Sequence, residues 1–110
     1  MRRMAMFAAM GLGACADLPP PASAPQVTVE ITDLTLSTAS GRAVLRQRVA
    51  AAAHQFCDLH GAEITPIESR EDRWYCPDMM RSEIMYHMTP TVRRAYETAR
   101  REAGLRGRDL

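Results

Sequence analysis

The sequence predicts a small α+β domain that is mostly helical, with one or two short N-terminal strands followed by about three helices and a disulfide. Three observations predict it: apolar and polar residues alternate over 27–32, three later segments repeat apolar residues at helical spacing, and Cys57 and Cys76 lie among those segments. A chain of 110 residues suffices for one domain. We place that domain at residues 26–104 and expect the polar residues 105–110 to form a flexible tail.

The N-terminal end has the features of an export signal. Arg2 and Arg3 form a short basic start, and residues 4–12 are apolar or small. That stretch has the length of a signal-peptide core and falls short of the roughly 20 apolar residues that span a membrane. Residues 1–14 are therefore expected to be a signal peptide.

The apolar stretch ends in the quartet Leu12-Gly13-Ala14-Cys15. This quartet resembles the lipobox of bacterial lipoproteins, in which a signal peptidase cleaves before the cysteine and the thiol carries diacylglycerol. We therefore expect lipid attachment at Cys15 and an anchor in a bacterial membrane. Two alternatives stay open: a soluble secretory signal cleaved near Ala22 or Ala24, which would discard Cys15, and retention in the cytoplasm.

Residues 15–25 are expected to be a proline-rich tether. Four prolines lie between positions 16 and 25, and three of them are consecutive at Pro19, Pro20 and Pro21. Such a composition favours a semi-extended polyproline conformation. A spacer of this kind would hold a folded domain away from a membrane surface.

The first element of the domain is predicted to be a strand. Apolar Val27, Val29 and Ile31 alternate with polar residues, which is the period of a half-buried strand. A strand needs a partner for its backbone groups. The nearby candidate is residues 62–67, limited to a short edge strand because it contains Pro66, and a second copy of the protein is the other option.

The first predicted helix follows this strand. Ser37 is expected to act as its N-cap, so that the helix begins at Thr38, and Gly61 is expected to end it. Its apolar residues recur at spacings of three and four and form one stripe. The stripe consists of Leu45, Val49, Ala52, Ala53 and Phe56.

Two further helices are predicted from proline and cap signals. Pro77 suits the first turn of the second helix, whose inner face would carry Met80, Ile84 and Met88. Thr89 followed by proline opens the third helix, and Gly104 stops it. The stripe of the third helix consists of Val92, Ala95, Tyr96, Ala99 and Ala103.

The number of cysteines supports export. There are three, and an odd thiol is unfavourable in an oxidising compartment. If Cys15 carries lipid or is removed, Cys57 and Cys76 remain as a pair that fits a periplasmic disulfide. That bond would close a loop of about 20 residues and stabilise the domain by roughly 3 kcal/mol.

The densest group of possible metal ligands follows this second cysteine. Thioether, imidazole and thiolate groups select Cu(I), and they recur here at Cys76, Met79, Met85, His87 and Met88. The spacing of the buried methionines is also that of a helix core, and the thiol of Cys76 is better used in a disulfide. We therefore expect no metal and no cofactor, with copper binding kept as the alternative.

No catalytic residue is predicted. With Asp58 and His60 nearby, Cys57 resembles the thiol of a Cys/His nucleophile pair, but a disulfide would remove that thiol. The three histidines include no pair at i,i+4 on one helix, so the zinc-helix pattern is missing.

The charge balance gives no reason to expect nucleic acid as a partner, since the formal net charge is +1. Several arginines cluster between positions 93 and 108 and suit anionic lipid head groups. However, Glu97 lies four residues from both Arg93 and Arg101, and ion pairs at i,i+4 would neutralise part of the arginine charge. The spacing thus favours an ordinary solvated helix face.

A family resemblance follows from three features taken together. They are the run Asp33-Leu34-Thr35-Leu36-Ser37-Thr38, the Gly41-Arg42 pair that leads into a helix, and Cys57 with Cys76 downstream. In these features the chain resembles the UrcA family of small exported proteins of alphaproteobacteria, over residues 27–103. The resemblance implies a signal peptide, a disulfide and a strand-plus-helices domain. It assigns no functional site, because the family has no established activity.

These features together predict an exported envelope protein that is not an enzyme. We expect a domain lipid-anchored on the periplasmic side of a bacterial membrane, which binds an unidentified envelope protein or has a structural role. The alternative function is a periplasmic copper-binding protein that uses the methionine and histidine cluster.

Overall fold

The computed structural model describes residues 18–20 and 24–110. It contains three α-helices: α1 spans Ala39–Ile64, α2 spans Tyr75–His87 and α3 spans Pro90–Glu102. A single turn of 3-10 helix, Ile67–Ser69, lies between α1 and α2. The prediction of an α+β domain is wrong, because the described part of the chain is all-helical and contains no strand.

Residues 26–36, which we call the arm, explain this error. Their side chains do alternate: Val27, Val29 and Ile31 are half-buried against the core, whereas Thr28 and Glu30 are exposed. Alternating apolar residues indicate that one side of an extended segment is buried. They do not indicate whether that side packs against a strand or against a helix. Here the packed surface is α1 rather than a neighbouring strand, so no ladder of backbone hydrogen bonds forms.

The arm runs along α1 in the opposite direction. Residues 26–28 share a small depression with the C-terminal half of α1, Glu30 and Asp33 contact Arg48, and Leu36 contacts Arg42. The predicted partner strand at residues 62–67 is also wrong. Its first half continues α1 and Ile67 opens the 3-10 turn.

The boundaries of α1 differ from the prediction at both ends. Thr38 is the N-cap instead of Ser37, and its hydroxyl accepts a hydrogen bond from the Gly41 amide at 3.0 Å. The helix passes through Gly61 and ends at Ile64. A mid-helix glycine costs about 1 kcal/mol relative to alanine. Gly61 lies beside the disulfide, where a Cβ would be 3.8 Å from the Cys76 sulfur atom.

The other two helices begin and end close to the predicted positions. Pro77 lies in the first turn of α2. Thr89 caps α3 by accepting a hydrogen bond from the Val92 amide at 3.4 Å, and proline is the first helical residue. Gly104, with φ of 71°, follows the C-cap in the left-handed conformation that favours glycine.

The core lies where α1 packs against both α2 and α3. Leu45 and Val49 of α1 and Tyr96 of α3 have no exposed surface. The remaining buried apolar residues come from all three helices: Ala53, Cys76, Met80, Ile84, Val92 and Ala99. Most residues of the apolar stripes predicted from helical spacing lie in the core or against it. Ala52, Phe56, Met88 and Ala95 are only half-buried, and the predicted stripe residue Ala103 is exposed.

The C-terminal segment 105–110 contacts α2 and α3. The backbone carbonyl oxygen of Gly107 accepts hydrogen bonds from Arg100 at 2.7 Å and from Arg81 at 3.4 Å. Arg108 pairs with Asp72 at 2.9 Å. Leu110 packs against the edge of the core.

Candidate functional site

A disulfide joins Cys57 of α1 to Cys76 of α2, with the two Cα atoms 5.9 Å apart. The predicted pairing is therefore confirmed. Bonds of this kind form and persist in oxidising compartments, which indicates an extracellular or periplasmic location. Cys15, the predicted site of lipid attachment, lies outside the described residues.

An open groove of about 510 Å³ runs beside this disulfide. Its lining includes His54 and Asp58 of α1 and Arg70 and Arg73 of the loop before α2. Because both sulfur atoms are bonded to each other, neither can act as a thiolate nucleophile. His60, considered above as a partner of that thiol, instead packs its ring 4.9 Å from the ring of Phe56.

The possible copper ligands are divided between the core and the solvent. Met79, Met85 and Met88 pack against the core cluster, and Cys76 is oxidised. His87 is exposed and its Nε2 lies 3.0 Å from the Glu83 carboxylate. Within residues 18–20 and 24–110, no group of three or more His, Cys, Asp and Glu side chains is placed to hold a metal ion.

The motif that carries the family resemblance fixes the arm to α1. The two carboxylate oxygens of Asp33 accept hydrogen bonds from Arg48 at 2.6 and 2.8 Å, and Arg48 also donates to the Glu30 carbonyl oxygen at 2.9 Å. The hydrogen bonds from Arg48 lower the pKa of Asp33 below its usual value. Such fork-shaped pairs set orientation as well as adding energy.

The same motif contains a tight turn at the start of α1. The Thr38 hydroxyl donates to the Thr35 carbonyl oxygen at 2.9 Å while it accepts from the Gly41 amide. A Cβ atom at position 41 would overlap that carbonyl. Only glycine therefore fits at position 41 without displacing the arm.

Arg42 extends this network to α3. Its guanidinium donates to the Leu36 carbonyl oxygen at 3.2 Å and pairs with the Glu102 carboxylate at 2.5 Å. The hydrogen bonds to Glu102 raise the pKa of Arg42. One side chain thus connects the arm, the first turn of α1 and the last turn of α3.

A second group of arginines holds the C-terminal segment. Arg81 forms an ion pair with Asp78 and shares backbone acceptors of residues 107 and 109 with Arg100. Sequence patterns do not reveal this group, because its acceptors are mostly backbone carbonyls. The predicted pairing of Glu97 with Arg93 and Arg101 is also wrong, since Glu97 lies 3.5 Å from Arg100 instead.

No protein-family model, curated protein or solved structure matches this chain. The UrcA resemblance stays a prediction that rests on residues 33–38, Gly41, Arg42 and the two cysteines Cys57 and Cys76. Within the described ranges, no helix combines the length and the apolar character needed to cross a membrane.

Proposed function

We propose that this chain is a lipid-anchored envelope protein of the UrcA type, and that its helical domain is a non-enzymatic binding or structural module. In this proposal Cys15, the first residue of the tether 15–25, carries the lipid, and the ten residues 16–25 separate it from the domain. The partner is an envelope component on the exported side of the membrane.

The observation that carries the proposal is the arm. Directly after the tether, Val27 already packs against the domain, and Arg48 and Arg42 then hold the next ten residues against α1. At about 3.1 Å per residue, ten tether residues reach roughly 30 Å. An anchor on Cys15 would therefore keep the domain close to the membrane through a firmly attached segment.

The Cys57–Cys76 disulfide supports an exported location. The motif at residues 33–41 supports the proposed relation to the UrcA family. Within the motif, Asp33, Thr38 and Gly41 all have structural tasks that fix the arm. A motif with this task is expected in a scaffold that presents a surface, whereas a catalytic motif would project reactive groups into a cleft. This contrast favours a binding or structural module.

Fatty-acid labelling of cells that express the full chain tests the anchoring step. We expect the wild-type protein to incorporate labelled fatty acid and to sediment with membranes. A Cys15→Ala variant should lose the label, whereas Cys57→Ala/Cys76→Ala should keep it because Cys15, the proposed site of acylation, is unchanged. An unlabelled wild-type protein in the soluble periplasmic fraction would overturn the proposal.

A further inference from the structure

We propose that the outward face of α3 is a docking surface for an anionic lipid membrane. We call this surface the basic face; it consists of Pro90, Arg93, Arg94, Glu97, Thr98 and Arg101. The proposal deepens the proposed function by naming what the module binds. It rests on that function in one respect, because the lipid anchor on Cys15 would hold the domain near the membrane.

The geometry of α3 puts these residues on one side. They are separated by three or four positions, or are adjacent, so they share one helix face. Val92, Tyr96 and Ala99 occupy the opposite face and are buried in the core. The basic face surrounds an open depression of about 450 Å³.

The three arginines of the basic face have no carboxylate partner in the described part of the chain. Arg93 donates to the Met88 carbonyl oxygen at 2.9 Å, which is a neutral acceptor at the end of α2. Arg101 donates to the Thr98 hydroxyl at 3.0 Å. Arg94 forms no side-chain hydrogen bond or ion pair with a described residue, and its backbone carbonyl accepts from Thr98.

The one acidic residue of the face is already paired elsewhere. The Glu97 carboxylate lies 3.5 Å from Arg100, whose guanidinium also holds the C-terminal segment. Pairing of Glu97 with Arg93 and Arg101 was the reason to expect an ordinary solvated face. Since that pairing does not form, Arg93, Arg94 and Arg101 make no ion pair within the described residues, and three arginines against one glutamate leave the face net positive.

This positive face contrasts with the rest of the molecule. Residues 16–110 carry twelve arginines and thirteen acidic residues, so the mature chain is slightly acidic as a whole. Its attraction to an anionic surface must therefore come from a local cluster rather than from net charge. A membrane rich in anionic head groups is the complementary partner, because each arginine near such a surface strengthens binding about fivefold.

Binding to vesicles tests the proposal without the lipid anchor. The chain from Ala16 to Leu110, exported behind an ordinary cleavable signal peptide, carries no acyl group. We expect it to cosediment with vesicles of mixed phosphatidylcholine and phosphatidylglycerol, and not with phosphatidylcholine alone. Binding should weaken between about 0.1 M and 1 M salt, as the Debye length falls from about 10 Å to about 3 Å.

Two matched double variants locate the surface. Arg94→Gln/Arg101→Gln should lower the partition coefficient about 25-fold with an unchanged circular dichroism spectrum, since these side chains make no core contact. Arg70→Gln/Arg73→Gln removes the same charge from the loop before α2 and should leave binding close to wild type. Glu97→Gln should raise binding about fivefold.

Two results would overturn the proposal. One is the absence of binding to the anionic vesicles at low salt. The other is an equal loss of binding in both double variants, which would show that general charge and not the basic face is responsible. Neither result depends on Cys15, so failure of the docking surface and failure of lipid anchoring are distinguishable.

Discussion

The carbonyl oxygen of Thr35 occupies the space that a side chain on Gly41 would need. This contact brings the end of the arm against the first turn of α1, where Thr38 caps the helix through the Gly41 amide. Three residues of the family-like motif therefore serve one task. They set the direction in which the chain enters the helical domain.

Substitution of the two glycines in α1 should have opposite effects. Gly41→Ala forces the arm to move, and overpacking of this kind costs about 1–3 kcal/mol. At Gly61 a Cβ would lie 3.8 Å from the Cys76 sulfur, an ordinary contact, so Gly61→Ala should stabilise the helix by about 0.5–1 kcal/mol. Urea unfolding of both variants measures this. A stabilised Gly41→Ala would contradict the tight-turn account.

Loss of the disulfide should cost a large part of the stability. The bond connects residues separated by 19 positions, and the restriction of the unfolded chain that it imposes is worth about 3 kcal/mol. We expect Cys57→Ala/Cys76→Ala to unfold at a clearly lower temperature, with Trp74 fluorescence as the readout. Chemical reduction of the wild-type protein is the control, because it breaks the bond but keeps both cysteine side chains. If neither the double variant nor the reduced protein melts at a lower temperature, the disulfide does not stabilise the fold.

Acid should weaken the link between the arm and α1. The pKa of Asp33 is lowered by hydrogen bonds from Arg48, so the folded state binds this proton less readily than the unfolded chain. The stability that the Asp33–Arg48 pair adds is present above the pKa of an aspartate in the unfolded chain, about 3.9. It is lost as the pH falls through the lower pKa that Asp33 has in the folded protein. Melting temperature against pH should therefore fall less steeply for Asp33→Asn than for wild type. If the wild-type and Asp33→Asn curves are parallel, the Asp33–Arg48 pair does not contribute to stability. Asp58→Asn is the control, and its curve should follow that of the wild-type protein.

Tyr96 should tolerate phenylalanine but not alanine. Its ring is completely buried, and its hydroxyl makes no hydrogen bond to a described residue, so Tyr96→Phe should change the free energy of unfolding by less than about 1 kcal/mol. Tyr96→Ala should cost about 3–5 kcal/mol by leaving a cavity.

A pH titration gives a second readout for Tyr96. Burial raises the pKa of Tyr96 above its usual value. Stability should therefore be retained below about pH 10 and decline as pH rises through the higher folded value. This alkaline decline should be smaller in Tyr96→Phe. If Tyr96→Phe instead loses about 2 kcal/mol or more, the hydroxyl has a hydrogen-bond partner.

Local patterns predict the helices well but not what the arm packs on. The stripes containing Leu45, Ile84 and Tyr96 identify the core, because helical spacing alone places such residues on one face. The alternation around Val29 correctly predicts which side chains are half-buried. It cannot show whether those side chains pack on a neighbouring strand or on a helix. The arm is held on α1 by Arg48, which lies 15 residues from its partner Asp33 in the sequence.

The arginine contacts are the least predictable part of the candidate surfaces. Glu97 has arginines at three and four positions on both sides, and spacing alone cannot select Arg100 over Arg101. The selection follows from the C-terminal segment, whose Gly107 carbonyl holds Arg100 beside α3. A tertiary contact of this kind leaves no periodic signal in the sequence, yet it decides which charges stay uncompensated.

Intact mass spectrometry of the full-length gene product, isolated from membranes without reduction, tests the central proposal most directly. Lipid anchoring predicts a mature chain that begins at Cys15, carries added diacylglycerol and acyl mass, and lacks two hydrogen atoms because Cys57 and Cys76 are bonded. A mature chain that begins between Ser23 and Gln26 and carries no acyl mass would contradict the account of a lipid-anchored module.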